Sequence, residues 1–91
     1  LLQDAGGNLI KLDYKNNQLT INSIGKTKID TATDKDQTVG GNETLAITGN
    51  RTKNVTGNES DTIGGNLQIT ITGNADILAT GATTIKGSNI T

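Results

Sequence analysis

From Gly41 to Gly81 a glycine recurs every eighth residue, at Gly41, Gly49, Gly57, Gly65, Gly73 and Gly81. Asparagine follows the first five of them, at Asn42, Asn50, Asn58, Asn66 and Asn74. Six positions after each glycine stands an aliphatic residue: Ile47, Val55, Ile63, Ile71 and then Ala79. One Gly-Asn pair signals only a turn. Five pairs in strict register, with an aliphatic residue locked to the same phase, signal a repeat architecture.

With glycine as position one of an octad, positions three, five and seven share one face of an extended segment, and four and six share the other. Position seven is apolar almost throughout. Position four carries Thr44, Thr52, Ser60, Gln68, Asp76 and Thr84 and reads as a wetted face. A six-residue strand spans about 20 Å. The glycine after it is expected to take the positive φ of a sharp corner, and the asparagine beside it to bond the backbone there. The expected corners are therefore Gly41, Asn42, Gly49, Asn50, Gly57, Asn58, Gly65, Asn66, Gly73, Asn74 and Gly81. The inward core positions are Val39, Ile47, Val55, Ile63, Ile69, Ile71, Ile77 and Ile85.

Counting backwards in eights puts Gly25 in frame and Thr33 where a glycine is expected. Residues 33–37 form the weakest octad, an imperfect repeat rather than a linker. The array is placed at residues 17–88, between a lead-in at 1–16 and an end segment at 89–91. The lead-in reads as a hairpin. Gln3-Asp4-Ala5-Gly6-Gly7-Asn8 is turn-rich, Ile10, Leu12 and Tyr14 alternate with polar residues, and Lys15–Gln18 makes a second turn before Leu19 and Ile21 continue the alternation.

Composition decides how such a repeat can be stable. Leu, Ile and Val total 21 of 91 residues, and Tyr14 is the single aromatic. At positions three and five the middle octads hold Arg51, Lys53, Glu59 and Asp61, leaving barely more than one apolar residue per strand for a core. A lone-chain solenoid normally fills its interior with several. Three identical chains wound about a three-fold axis suit the composition better, because each octad then needs to supply only a third of a shared interior. The absence of Pro leaves every backbone N–H free for a ladder, and abundant Thr suits half-buried strands. The expected fold is therefore all-β: an intertwined triple-stranded β-helix, or trimeric β-prism, of octapeptide repeats behind a short hairpin region.

In that prism, octad n of one chain stacks on octad n+1 of the next, parallel and in register. Position three then alternates in sign through Glu43, Arg51 and Glu59, and Lys53 lies beside Asp61. These five residues are expected to form inter-chain ion pairs whose worth is register more than stability, since a one-octad slip brings like charges together. Three strands at about 4.8 Å advance the fibre by roughly 14 Å per turn, so eight octads give a rod of order 40 Å.

The run Gly41-Asn42-Glu43-Thr44, Gly49-Asn50-Arg51-Thr52, Gly57-Asn58-Glu59-Ser60 resembles the octapeptide needle of contractile injection machines. That family comprises the central baseplate spike of T-even phages and the VgrG spikes of type VI secretion. Asp4-Ala5-Gly6-Gly7-Asn8-Leu9-Ile10-Lys11-Leu12 resembles the stretch leading into that needle. The resemblance implies a homotrimer that pierces a target-cell membrane when a sheath contracts. It also implies an upstream spike domain joined to the baseplate and tube, and a location at a virion tail tip or in a secreted apparatus. Some phage spikes close their tip with a His-x-His iron site. This chain has no His, and the resemblance implies a separate PAAR-repeat cone as the cap; Gly87, Ser88, Asn89, Ile90 and Thr91 read either as its docking surface or simply as the end of the array. Starting at Leu1 without an initiator Met, the chain is expected to be a segment of a longer protein.

Other chemistry finds little purchase. No Cys or His is present for thiolate, imidazole or metal chemistry. The carboxylates are dispersed among lysines, so neither a catalytic constellation nor a cofactor is expected, and the chain is read as no enzyme. Lys and Arg number 8 against 9 Asp and Glu, which leaves no basic stripe for nucleic acid. The period of eight does not fit the nonapeptide calcium roll. The rival reading is a trimeric tail-fibre or adhesin stalk presenting a receptor-binding domain. A trimerising segment of an enzyme ranks below both.

Overall fold

The computed structural model describes residues 1–91, an all-β chain without helices. Three strands form an antiparallel meander in the order β1-β2-β3: β1 Leu2–Gln3, β2 Leu9–Asp13 and β3 Gln18–Asn22. Leu2 lies opposite Ile10 and Ile10 opposite Ile21, while Leu12 faces Leu19. Strand alternation therefore gathers these five aliphatic residues on one face. Gln3, Lys11, Asp13, Gln18, Thr20 and Asn22 lie on the other, with Leu9 the apolar residue among them. The sheet takes in Gln18–Asn22, residues the sequence reading gave to the repeat array. The reason is register: Leu19 and Ile21 continue the period of two set by Ile10 and Leu12, and β2 offers them partners.

Both turns of the meander are built on an aspartate. Asp4 accepts the Asn8 backbone N–H on Oδ1 and the Asn8 side-chain amide on Oδ2, each at 2.9 Å. The Asp4 N–H donates to the Asn8 carbonyl at 3.1 Å, and Gly7 sits at φ +103°. In the second turn Asp13 Oδ1 accepts from Lys15 N–H at 3.1 Å and Asn16 N–H at 3.4 Å, and Oδ2 from the Asn16 amide at 2.9 Å. Asn17 follows at φ 50°, a left-handed position that Asn tolerates.

Beyond β3 the chain bends every eight residues. Contacts divide it into two units, Leu1–Ala46 and Ile47–Thr91. In the first, bends fall at Ile24–Gly25, Ala32–Thr33 and Gly40–Gly41. In the second they fall at Thr48–Gly49, Thr56–Gly57, Gly64–Gly65, Thr72–Gly73, Thr80–Gly81 and Ser88–Asn89. The spacing holds without exception, through the imperfect octad at residues 33–40 as well.

The corners are made differently from the expectation. None of the octad glycines has a positive φ; among glycines that conformation belongs to Gly7 alone. Ala32–Thr33 and Ser88–Asn89 bend without any glycine, so this corner lies in backbone territory open to L-residues. Asn42, Asn50, Asn58, Asn66 and Asn74 make no hydrogen bond within the chain. The corner is a bend between extended segments, with no turn hydrogen bond for the asparagines to complete.

Candidate functional site

No side chain of the chain is buried, apolar or polar. Every Leu, Ile and Val except Leu9 is exposed. Position seven is nevertheless singled out. Val39, Ile47, Val55, Ile63 and Ile71 keep 45, 46, 47, 48 and 52% exposure, five nearly equal values in five successive octads. Ile69, Ile77 and Ile85, at position five, keep 69–85%. Position-seven side chains are thus half-covered to the same extent from octad to octad, whereas Ile69, Ile77 and Ile85 lie more open.

Backbone pairing follows the same division. Beyond β3 no backbone N–H meets a backbone carbonyl. The one bond tying the sheet to the array is Ile24 N–H to Asn8 Oδ1, at 3.0 Å. A backbone this extended, with its donors and acceptors open along both edges, is a template for pairing with another chain. The octad surface is therefore the candidate functional surface: extended edges with unmet hydrogen bonds and a regular row of half-covered aliphatics.

The expected charge positions lie along that surface. Lys53 Nζ bonds Glu59 Oε1 within the same chain, across the Thr56–Gly57 bend, both side chains about half exposed. The sequence reading set Lys53 beside Asp61 of a neighbour. The bend shortens the path from position five of one octad to position three of the next, which brings Glu59 to Lys53 within one chain. Arg51 and Asp61 have no ion pair within the chain, and neither has Glu43. Lys28 and Asp30, at positions four and six of their octad, pair at 3.2 Å with both side chains about three-quarters exposed, where such a pair contributes little.

At the C-terminal end Gly87 occupies position seven, and Ile90 takes the place of the missing side chain. A Cβ on Gly87 would lie 3.3 Å from Ile90 Cγ1. Ser88 and Asn89 form the last bend between them, and Thr91 is exposed.

The sheet offers two shallow hollows, one bordered by Leu2, Gln3, Asp4, Asn8, Leu9 and Ile10, the other by Leu12, Asp13, Tyr14, Asn17, Gln18 and Leu19. Their carboxylates are spent on turns. Asn8 holds Asp4, and Asn16 holds Asp13, below the usual carboxylate pKa range, chiefly through their side-chain amides. No cluster of His, Cys, Asp or Glu is arranged to hold a metal, and no helix is long and apolar enough to cross a membrane. Sequence reasoning missed both aspartate clamps, although Asp followed by Asn three or four residues on was the available signal.

No curated protein and no solved structure matches the chain. Residues 41–64 match the family described as the Gp5 C-terminal repeat, in three copies. Those residues are the three octads 41–48, 49–56 and 57–64, so the repeat of that phage baseplate spike and the octad read from the sequence coincide, and over this stretch the chain is similar to the Gp5 C-terminal repeat family.

Proposed function

We propose that this chain is a shaft segment of a membrane-piercing spike in a contractile injection machine, acting mechanically as a homotrimeric triple-stranded β-helix. One observation carries the reading: after residue 24 the chain bends every eight residues without burying a side chain or pairing a backbone group with its own backbone. Such a backbone becomes stable only when other strands fill both edges. The strict period supplies those strands most simply from further copies in register. Three copies meet the composition, because each contributes one strand per face and roughly one position-seven aliphatic per layer.

A shaft whose backbone is hydrogen-bonded on both edges along its length is stiff without a large core, which is what transmitting a push requires. Similarity to the Gp5 C-terminal repeat supports a baseplate-spike role and a place in a virion tail. The family resemblance supplies the partners of that role: an upstream spike domain, the baseplate and tube, and a tip-capping cone.

Light scattering of the purified chain tests the assembly and should give three times the 9.4 kDa chain mass. A single-chain mass overturns the reading. The piercing role is tested in assembled particles by replacing residues 41–80 with a flexible Gly-Ser linker of equal length. Particles should still assemble but fail to breach the target cell. Undiminished delivery would refute a mechanical role for the shaft.

A further inference from the structure

Two successive octads of the second unit differ from the rest in what they carry at positions three and five. Residues 49–56 present Arg51 and Lys53, and residues 57–64 present Glu59 and Asp61. The octads that follow present Leu67 and Ile69, then Ala75 and Ile77. The four charges cancel, two cations in one octad against two anions in the next. Within the chain only one contact uses them, Lys53 to Glu59 across the bend. That contact joins position five of one octad to position three of the next across the Thr56–Gly57 bend. Arg51 and Asp61 have no ion-pair partner within the chain.

We infer that Lys53 is a bridging residue that sets the register of the assembly: it holds Glu59 of its own chain and Asp61 of a neighbouring copy. This rests on the three-chain reading above. With residues 49–56 of one copy beside residues 57–64 of the next, Lys53 faces Asp61 and Arg51 faces Glu59, so the charges of the two octads are complementary position by position. An ammonium carries three donors, enough for both carboxylates. The alternatives by one octad are poor. Laying residues 49–56 beside themselves puts cation on cation, and laying them beside residues 65–72 puts Arg51 and Lys53 against Leu67 and Ile69. Either slip leaves charges partly covered and unpaired. The bond within the chain adds what a plain ladder lacks, because it couples each inter-chain contact to the next octad around the bend.

The absence of Cys makes the placement directly testable. Facing residues of neighbouring strands lie about 4.8 Å apart, within the Cα span a disulfide accepts. The full chain carrying Lys53→Cys and Asp61→Cys, oxidised and run on a non-reducing denaturing gel, should therefore give a covalent three-chain species that reductant dissolves. Arg51→Cys with Asp61→Cys, offset by two residues, should stay single-chain. If the unsubstituted protein has a three-chain mass and the first variant yields only single chains, the bridge is overturned while the assembly stands. A single-chain mass for the unsubstituted protein instead overturns the reading beneath it. Neutral variants give an independent measurement without disulfide geometry. Asp61→Asn should lower the thermal midpoint of the assembly by about 4 °C or more, and by less than half as much once Lys53→Gln is present. Equal losses in both backgrounds would refute a Lys53–Asp61 contact.

Discussion

Glycine does two different jobs in this chain, and single substitutions separate them. Gly7 stands at φ +103°, where a side chain is strained whatever space surrounds it, and Ile24 lies 3.7 Å from where its Cβ would be. Gly7→Ala should destabilise the lead-in sheet by roughly 1–2 kcal/mol, measured by chemical denaturation. Gly57 has no positive φ, and a Cβ there would meet nothing of its own chain within 4 Å. For an isolated chain, Gly57→Ala would therefore be neutral or stabilising by about 0.4–1 kcal/mol, through the unfolded-state entropy it removes. If the corner lies against other copies, as the proposed three-chain shaft requires, the same substitution should lower the thermal midpoint. A rise would mean that no neighbour approaches that corner. The two aspartates set an acid limit at the same scale. Their carboxyls titrate below the usual range when folded, so the stability they lend is present above the ordinary carboxylate pKa and is lost as pH falls through the folded value. Melting of the sheet followed by circular dichroism should be flat from neutral down to about pH 4 and fall below it. Replacing Asp4 and Asp13 by Asn should flatten that acid limb.

The octad is the unit at the scale of elements, and its phase matters more than its sequence. Removing residues 65–72, an octad without charged residues, deletes one full period and leaves every later bend and position-seven residue in frame. Removing residues 65–68 keeps the in-out alternation, because four is even, but moves every later position-seven side chain half an octad from its bend. Chains lacking eight residues should still assemble into trimers, whereas chains lacking four should aggregate or remain monomeric by light scattering. Equal behaviour would mean that the bends follow local residues and not the frame. Much of this frame was legible in the sequence, because Gly, Asn and an aliphatic residue mark three of eight positions and random coincidence cannot hold all three. The bends at Ala32–Thr33 and Ser88–Asn89 obey the frame with none of its glycine, so the frame extends further than the residues that reveal it. What the pattern could not convey was the mechanism of the corner. A glycine in a repeat suggests left-handed backbone, and only the dihedrals show that the backbone makes no such demand. The Lys53–Glu59 bond was hidden for a similar reason. Its partners are six residues apart, a separation that means nothing on a straight strand and becomes a contact only once the Thr56–Gly57 bend folds it.

The whole molecule divides by how its hydrogen bonds are satisfied. The meander from Leu2 to Asn22 closes its ladder within one chain, with both turns held by aspartate. The octads close nothing within one chain, yet they keep their spacing from residue 24 to residue 89. If the octad amides find their partners on other copies, their protection from solvent exchange must depend on assembly, while that of the meander need not. Hydrogen exchange on the assembled protein should therefore show slow amides across residues 42–80. After dissociation by dilution into mild denaturant, those amides should exchange at the rates of an open chain. Protection should persist longest at the amides of β2, which is paired with both β1 and β3. Octad amides that stay slow in a single-chain species would mean that the array pairs with itself, and the shared shaft would have to be abandoned. Loss of both sets at the same denaturant concentration would instead make the meander part of the same cooperative unit. Its exposed face of Leu2, Ile10, Leu12, Leu19 and Ile21 would then be covered in the assembly as well.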